Sequence, residues 1–274
     1  MQSKTLITVA DDFGLSPLVN EAVERAAREG ILTSASLMVA APAAADAVRR
    51  AKALNGKLRV GLHVVVIEGS AVLPRTDIPA LVNAQGEFPS DQVAMGFRYA
   101  FSPRVRRQLA AEIRAQFAAF AATGLPLDHA NAHKHMHLHP TVGRLLLDIG
   151  REFGLRAIRI PAEPPTAGVP RTIGDRALFA WTRVLRRQAH RAGMLTNDAV
   201  LGLGSSGHMT PGLVQLLVDR LPPGLTELYF HPATSEDATL RRHMPTYEHT
   251  AEFEALLSTR VPPDVRLAAY SDLA

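Results

Sequence analysis

The sequence predicts an α/β protein folded as a single TIM-like βα barrel, and three observations carry that prediction. Short apolar runs alternate with amphipathic helical patterns along the whole chain, the order that gives a parallel sheet covered by helices. About seven or eight such units fit into 274 residues, which favours a closed or nearly closed sheet over an open doubly wound one. Residues with useful chemistry fall in or just after the apolar runs, toward their carboxyl ends, and in a barrel those ends form one face, where active sites are built.

The elements follow in order. Leu6 to Ala10 reads as a buried strand that stops at two adjacent carboxylates, Asp11 and Asp12. Ser16-Pro17 supplies an N-cap with proline at the first helical position, and the helix it opens closes at Gly30. Ala35 to Val39 is the second strand, and Pro42 opens an alanine-rich helix. Leu58 to Ile67 is the third strand, apolar except for His63. From Glu68 to Ser102 the periodicity dissolves, and loops of that length are usually functional lids. Ser102-Pro103 starts a helix that runs to Gly124. Leu127 to Ala132 is a strand feeding the tract His133, His135, His137 and His139, and Pro140 starts the next helix.

Leu155 to Ile160 is a strand carrying Arg159, followed by proline-rich chain and a basic helix from about Arg176 to Arg191. Val200 to Leu203 is a short strand before a Gly-Ser-Ser-Gly loop that bears His208. Thr210-Pro211 starts a helix, Leu225 to Phe230 is a strand ending in His231-Pro232, Tyr247 to Leu257 is helical, and Val265 to Tyr270 is the last strand. One domain spanning 1–274 is expected, with loop or lid insertions at about 68–102, 161–175 and 203–210.

Composition narrows the function. Hydrophobic residues at 47% are enough for a large core. A net charge of +4 and a pI near 9.7 permit an acidic partner or an anionic membrane surface without requiring either. Aromatic residues are sparse and no basic-aromatic stripe is visible, which argues against nucleic-acid binding. The absence of cysteine excludes disulfides, Cys-based zinc sites and a Cys nucleophile. The first apolar run is too short for a signal sequence and no run reaches the ~20 residues of a membrane span, so a soluble cytoplasmic protein is expected, with peripheral contact at the inner membrane face left open.

Two carboxylates at the end of a buried strand are costly unless a cation or hydrogen bonds accept them, so the pair reads as a metal site, a general base, or both. Adjacent strand residues point to opposite sides, which leaves one acid to ligate and the other to accept a proton. His63 in its apolar strand and His133 at the next strand end are the imidazoles best placed to join. If the tract were extended, His133 and His137 would lie about 13 Å apart, too far to share one ion; if helical, His135 could not join them. Two imidazoles and one carboxylate leave open positions, a set that suits Zn²⁺ and also other divalent transition metals. Such an ion beside a free carboxylate is hydrolytic chemistry.

The segments Ala10-Asp11-Asp12-Phe13-Gly14-Leu15-Ser16, Gly61-Leu62-His63, Asn131-Ala132-His133-Lys134-His135-Met136-His137 and His231-Pro232-Ala233 resemble, in order, the motifs of the YdjC-like carbohydrate deacetylases. That resemblance implies a βα barrel related to the NodB-type polysaccharide deacetylases and metal-dependent removal of acetyl from N-acetylated amino sugars. It implies Asp12, His63 and His133 as ligands of one divalent ion, zinc first, with magnesium or another transition metal as alternatives. It further implies Asp11 as catalytic base, His231 as general acid and Arg159 as the residue orienting the base. His135, His137 and His208 are expected near substrate. The sequence departs from the family at Asn131-Ala132, where Asp-Ser is frequent. The loop from Gly204 to Thr210 resembles the branch associated with hopanoid biosynthesis, which implies an N-acetylglucosaminyl lipid as substrate and, by family, a homodimer.

Three other readings compete: a chitooligosaccharide deacetylase, a metal-dependent phosphoesterase, and a non-catalytic sugar- or lipid-binding barrel. The helix carrying Arg183, Arg186, Arg187 and Arg191 with Leu178, Phe179, Trp181, Val184 and Leu185 fits either a membrane-facing helix or one packed on the barrel.

Overall fold

The computed structural model describes residues 3–164 and 173–274, with side chains of the second part taken from residue 179 onward. The elements are β1 (Lys4–Phe13), α1 (Pro17–Glu29), β2 (Ser34–Leu37), α2 (Ala44–Ala53), β3 (Arg59–Val64), α3 (Gln92–Phe101), α4 (Pro103–Ala122), β4 (Leu127–Ala132) and α5 (Pro140–Glu152). They continue with β5 (Ala157–Ile158), α6 (Ile173–Arg191), β6 (Leu195–Thr196), β7 (Ala199–Leu201), α7 (Pro211–Asp219), β8 (Gly224–Phe230), α8 (Ala238–His243), α9 (His249–Ser258) and β9 (Val265–Leu267).

Every strand pairing is parallel, in the order β6-β5-β4-β3-β2-β1-β8-β7, so eight strands curl into a TIM-like half-barrel as the sequence predicts. The ninth, β9, pairs with Lys4–Leu6 of β1, while β2 takes the upper half of β1 from Val9 onward. No ladder joins β6 to β7 among the described residues. There the Asn197 side chain receives Ile160 N at 2.7 Å and donates to Ile160 O at 2.8 Å, and Val200 N reaches Ala162 O, so side chain and loop hold the seam.

Local chemistry explains the element starts. Ser16 Oγ accepts from Val19 N ahead of Pro17, and Ser102 Oγ accepts from Val105 N ahead of Pro103. Gly14 turns the chain from β1 into α1 at φ +99, and a Cβ there would press on Ala44 and Met38 backbone at 3.2 Å. The core is continuous from Leu6 and Phe13 through Leu62, Val64, Phe117 and Phe120 to Leu228 and Phe230.

Three short elements escape the periodicity. The 68–102 stretch, which reads as irregular, ends in the helix α3; α8 and the two-residue strand β6 are too short to show a period. The expected 161–175 insertion falls largely on residues outside those described, as do the side chains of Arg176 and Leu178. The basic helix α6 packs on the barrel: Leu185 and Ala189 are buried, Trp181 Nε1 donates to Leu138 O, and Arg186 donates to the carbonyls of Asn197 and Asp198. Its described apolar residues Leu185 and Ala189 pack on the barrel, as the packing reading of that helix expects.

Candidate metal and catalytic centre

The centre begins with a break in β1. Its pairing with β2 shifts register between Ala10 and Phe13, and Asp12 adopts φ 60, a left-handed conformation that non-glycine residues rarely hold. The strict alternation expected of a strand therefore fails here. Both carboxylates reach the ring of His63, Asp12 Oδ1 at 3.1 Å from Nε2 and Asp11 Oδ1 at 3.9 Å from Nδ1.

Asp12, His63 and His133 are buried and present donor atoms within 4.8 Å of one another, a group that can hold a metal ion. His133 Nδ1 lies 3.1 Å from Asp12 Oδ1 and 3.3 Å from His63 Nε2. Asp12 Oδ2 is buried with no hydrogen-bond partner, a costly state for a carboxylate oxygen and one that a cation would satisfy. Burial would raise the Asp12 carboxyl, but the adjoining His133 holds it well below the usual carboxylate range, and His133 is raised in turn despite its own burial.

Asp11 is held differently. Arg159 grips it with two bonds, Nη1 to Oδ2 at 2.5 Å and Nη2 to Oδ1 at 2.9 Å, and Asn131 Nδ2 donates to Oδ1 at 2.9 Å. Burial opposes ionisation, but the guanidinium overrides it and holds the carboxyl far below its ordinary range. Arg159 is itself fixed by Glu227, which also accepts from Tyr270 OH, and by the Tyr229 ring 4.8 Å away.

Behind this group runs a buried hydrogen-bond chain. Asp128 Oδ2 accepts from His129 Nδ1 at 2.7 Å, which leaves His129 Nε2 to accept the Ser36 hydroxyl at 2.9 Å. Ser36 Oγ accepts from Asn131 Nδ2 at 2.9 Å, and Asn131 Oδ1 accepts from His63 Nδ1 at 2.7 Å. The amide orientation of Asn131 thus sets the His63 tautomer and leaves Nε2 free to ligate. Gly61 makes room for this chain, since a Cβ there would lie 2.6 Å from the His129 ring.

The histidine tract is neither extended nor a regular helix. Residues His133–Leu138 form a kinked 3-10 turn with Lys134 and His135 at φ 50 and 53. His133 enters the ligand group, and His135 lines the cavity with its ring edge-on to Tyr229 at 5.3 Å. His137 is buried outside the cavity lining, and His139 caps α5 by accepting from Thr141 N. Burial lowers both inner rings, His135 to about 3, with Arg159 adding to the effect, and His137 well below its usual value, with His135 adding. Of the five described non-glycine residues at positive φ, Asp12, Glu68, Lys134 and His135 surround this centre, the concentration of strain expected where geometry serves function.

A cavity of about 510 Å³ opens over the group, lined by Asp11, His63, His133, His135, Tyr229 and His231. His231 follows β8, its ring between Tyr229 and Tyr247, with Nδ1 3.8 Å from the buried carboxylate of Glu252. Glu252 also receives the His231 and Met209 amides. A second, more apolar chamber of about 290 Å³ adjoins the same centre at His133 and His243 and is walled by Leu15, Met38, Val39 and Val65. Glu68, paired with Lys134 and facing His243, stands between the two. His208 lies outside both cavities, paired with Glu248.

Sequence reasoning missed four supports: Asn131, Glu227, Glu252 and Tyr229. Glu227 had a signal, as the one charge in an otherwise apolar strand, the same oddity that marked His63. Glu252 had none, since its helix α9 shows no clear division into an apolar and a polar face that would mark an acid as turned inward.

Fold and centre together define a TIM-like α/β protein that gathers a carboxylate–imidazole group able to hold a cation and a second, arginine-held carboxylate at the carboxyl ends of its strands. The chain belongs to the YdjC-like protein family, whose pattern matches residues 5–266. It is 28% identical to a carbohydrate deacetylase of Brevibacillus brevis over 98% of this chain and 99% of that one. It is 30% identical to the carbohydrate deacetylase of Mus musculus, covering 83% of this chain and 77% of the other. A crystal structure of an Enterococcus faecalis protein described in terms of cellobiose-phosphate cleavage shares the fold, with a TM-score of 0.78, 24% identity and 99% of both chains covered.

Proposed function

We propose that this protein is a carbohydrate deacetylase, a hydrolase that removes the N-acetyl group from an N-acetylglucosamine-bearing substrate. Asp12, His63 and His133 hold one divalent ion, zinc in first place because two imidazoles and one carboxylate suit it better than they suit magnesium. The observation that carries the reading is the pairing of an Asp12 oxygen left without a partner with a neighbouring Asp11 that is saturated by Arg159 and Asn131. Relatives named carbohydrate deacetylase along most of the chain support the same activity.

When bound, the ion supplies Lewis acidity, which polarises an amide carbonyl and acidifies water. The protein's own residues do the rest. Asp11 keeps one lone pair on Oδ2 outside its hydrogen bonds and takes the proton of the attacking water there. Arg159 fixes the direction of that lone pair. As the C–N bond breaks, His231 protonates the departing amine, its ring set by Tyr229, Tyr247 and Glu252. Acetate and a free amino sugar result. His135 contacts the sugar from the cavity wall, whereas His137 and His208, outside that wall, support the turn and the rim.

The apolar chamber beside His133 favours a sugar carried on an apolar aglycone, an N-acetylglucosaminyl lipid such as a glycosylated hopanoid, over a free chitooligosaccharide. The phosphoesterase reading needs a second ion, and the described residues offer one three-ligand group. The test is a mass-spectrometric assay of N-acetylglucosaminyl lipid against diacetylchitobiose, with and without chelator. Loss of an acetyl mass from the lipid, abolished by chelator and restored by zinc, is the expected result. Deacetylation of the oligosaccharide alone would replace the lipid reading, and indifference to chelator would remove the ion.

A further inference from the structure

The α3 helix buries Met95 and Tyr99 and turns the opposite side outward. Val93, Phe97 and Phe101 are 71%, 64% and 75% exposed, and their spacing of four residues makes one continuous stripe. The Phe97 and Phe101 rings stack on each other at 6.1 Å. Single exposed apolar residues are ordinary on a protein surface, but an aligned aromatic stripe marks a contact surface.

The charge beside the stripe has one sign. Between Gln92 and Ala111 the chain carries Arg98, Arg104, Arg106 and Arg107 and no carboxylate. Arg104, Arg106 and Arg107 are exposed and take part in no ion pair among the described residues. They also occupy the opening turns of α4, where the helix dipole disfavours positive charge. No carboxylate pairs with them among the described residues, so the surface is complementary to a partner that is anionic at its surface and apolar just beneath.

We propose that α3 and the start of α4 dock on an anionic phospholipid membrane. Val93, Phe97 and Phe101 enter the interface, and Arg104, Arg106 and Arg107 meet the lipid phosphates. The stripe starts at the rim of the catalytic cavity: Gln92 Nε2 donates to the carbonyl of Lys134, a cavity-lining residue. Docking therefore brings the mouth of the site to the membrane surface.

Co-sedimentation with vesicles tests this. The full chain should bind vesicles of phosphatidylglycerol and phosphatidylcholine mixed in about equal parts, ignore pure phosphatidylcholine, and release as salt screens the charges. Replacing the three arginines, R104A with R106A and R107A, should lower the partition coefficient about 100-fold. The pair Phe97→Ser and Phe101→Ser should weaken binding at least tenfold at unchanged salt dependence, with the thermal melting temperature of both variants preserved. Equal binding to neutral vesicles, binding unaffected by both sets of changes, or a dimer in light scattering that the phenylalanine pair dissolves would overturn the proposal.

Discussion

Asp11 and Asp12 are neighbours in sequence, equally buried, and opposite in circumstance. Every oxygen of Asp11 is bonded, three times by Arg159 and Asn131 together, while Asp12 keeps one oxygen with no partner and shares the other with two imidazoles. One carboxylate is thus satisfied internally, while the other keeps an oxygen that a bound cation could satisfy. A ligand for a cation should be ionised, unspent and aimed, and a proton acceptor should be held rigid; the bulge at Asp12 turns the two side chains into one space.

The largest test of this contrast is to exchange the losses. Asp12→Ala should abolish ion binding and cut kcat/KM by roughly 10⁴-fold, whereas Asp11→Asn should retain the ion and lose about 10³-fold in kcat. Ion stoichiometry by atomic absorption separates the two, and full turnover in Asp11→Asn would remove it as the base. Next comes the clamp. Arg159→Ala leaves Asp11 and Glu227 buried against each other, and urea unfolding should report a loss of roughly 3–5 kcal/mol. A change within error would mean the clamp is not what holds Asp11.

Smaller still is the cost of releasing the His63 tautomer. Asn131→Ala should weaken zinc affinity about 10–100-fold, read by competition with a chromophoric chelator, and cost about 1–3 kcal/mol in urea unfolding because Asp11, Ser36 and His63 lose a buried partner. Unaltered affinity would assign Asn131 to packing alone. The smallest effect is on pH. His135 is held neutral, down to about 3, against an unfolded value near 6.5, so the unfolded chain binds the extra proton in that window. Its contribution is present above about pH 6.5 and is lost as pH falls toward 3. The ion-free melting temperature should drop between pH 7 and 5, and His135→Gln should flatten that slope; a parallel slope would place the titration elsewhere.

A second contrast concerns two helices. The membrane-like pattern in the sequence lies on α6, whose described apolar residues pack on the barrel, while the exposed aromatic stripe lies on α3, in a stretch with no readable period. Amphipathicity reports that a helix has an apolar face, and only the neighbours determine whether that face is covered.

The sequence by itself determined the alternation of strands and helices, the single parallel sheet, and the positions of Asp11, Asp12, His63, His133, Arg159 and His231 at strand ends. These depend on local periodicity, on caps such as Ser16-Pro17, and on polar residues too expensive to bury without purpose. Tertiary structure decided what each polar group meets. The bulge that turns both acids inward, the kink that sends His133 and His135 one way and His137 another, and the chain from Asp128 to His63 join residues as far apart as Ser36 and Asn131. A hydrogen bond between segments so distant leaves no period in the sequence. It exists only once the strands that carry its two ends lie side by side in the sheet.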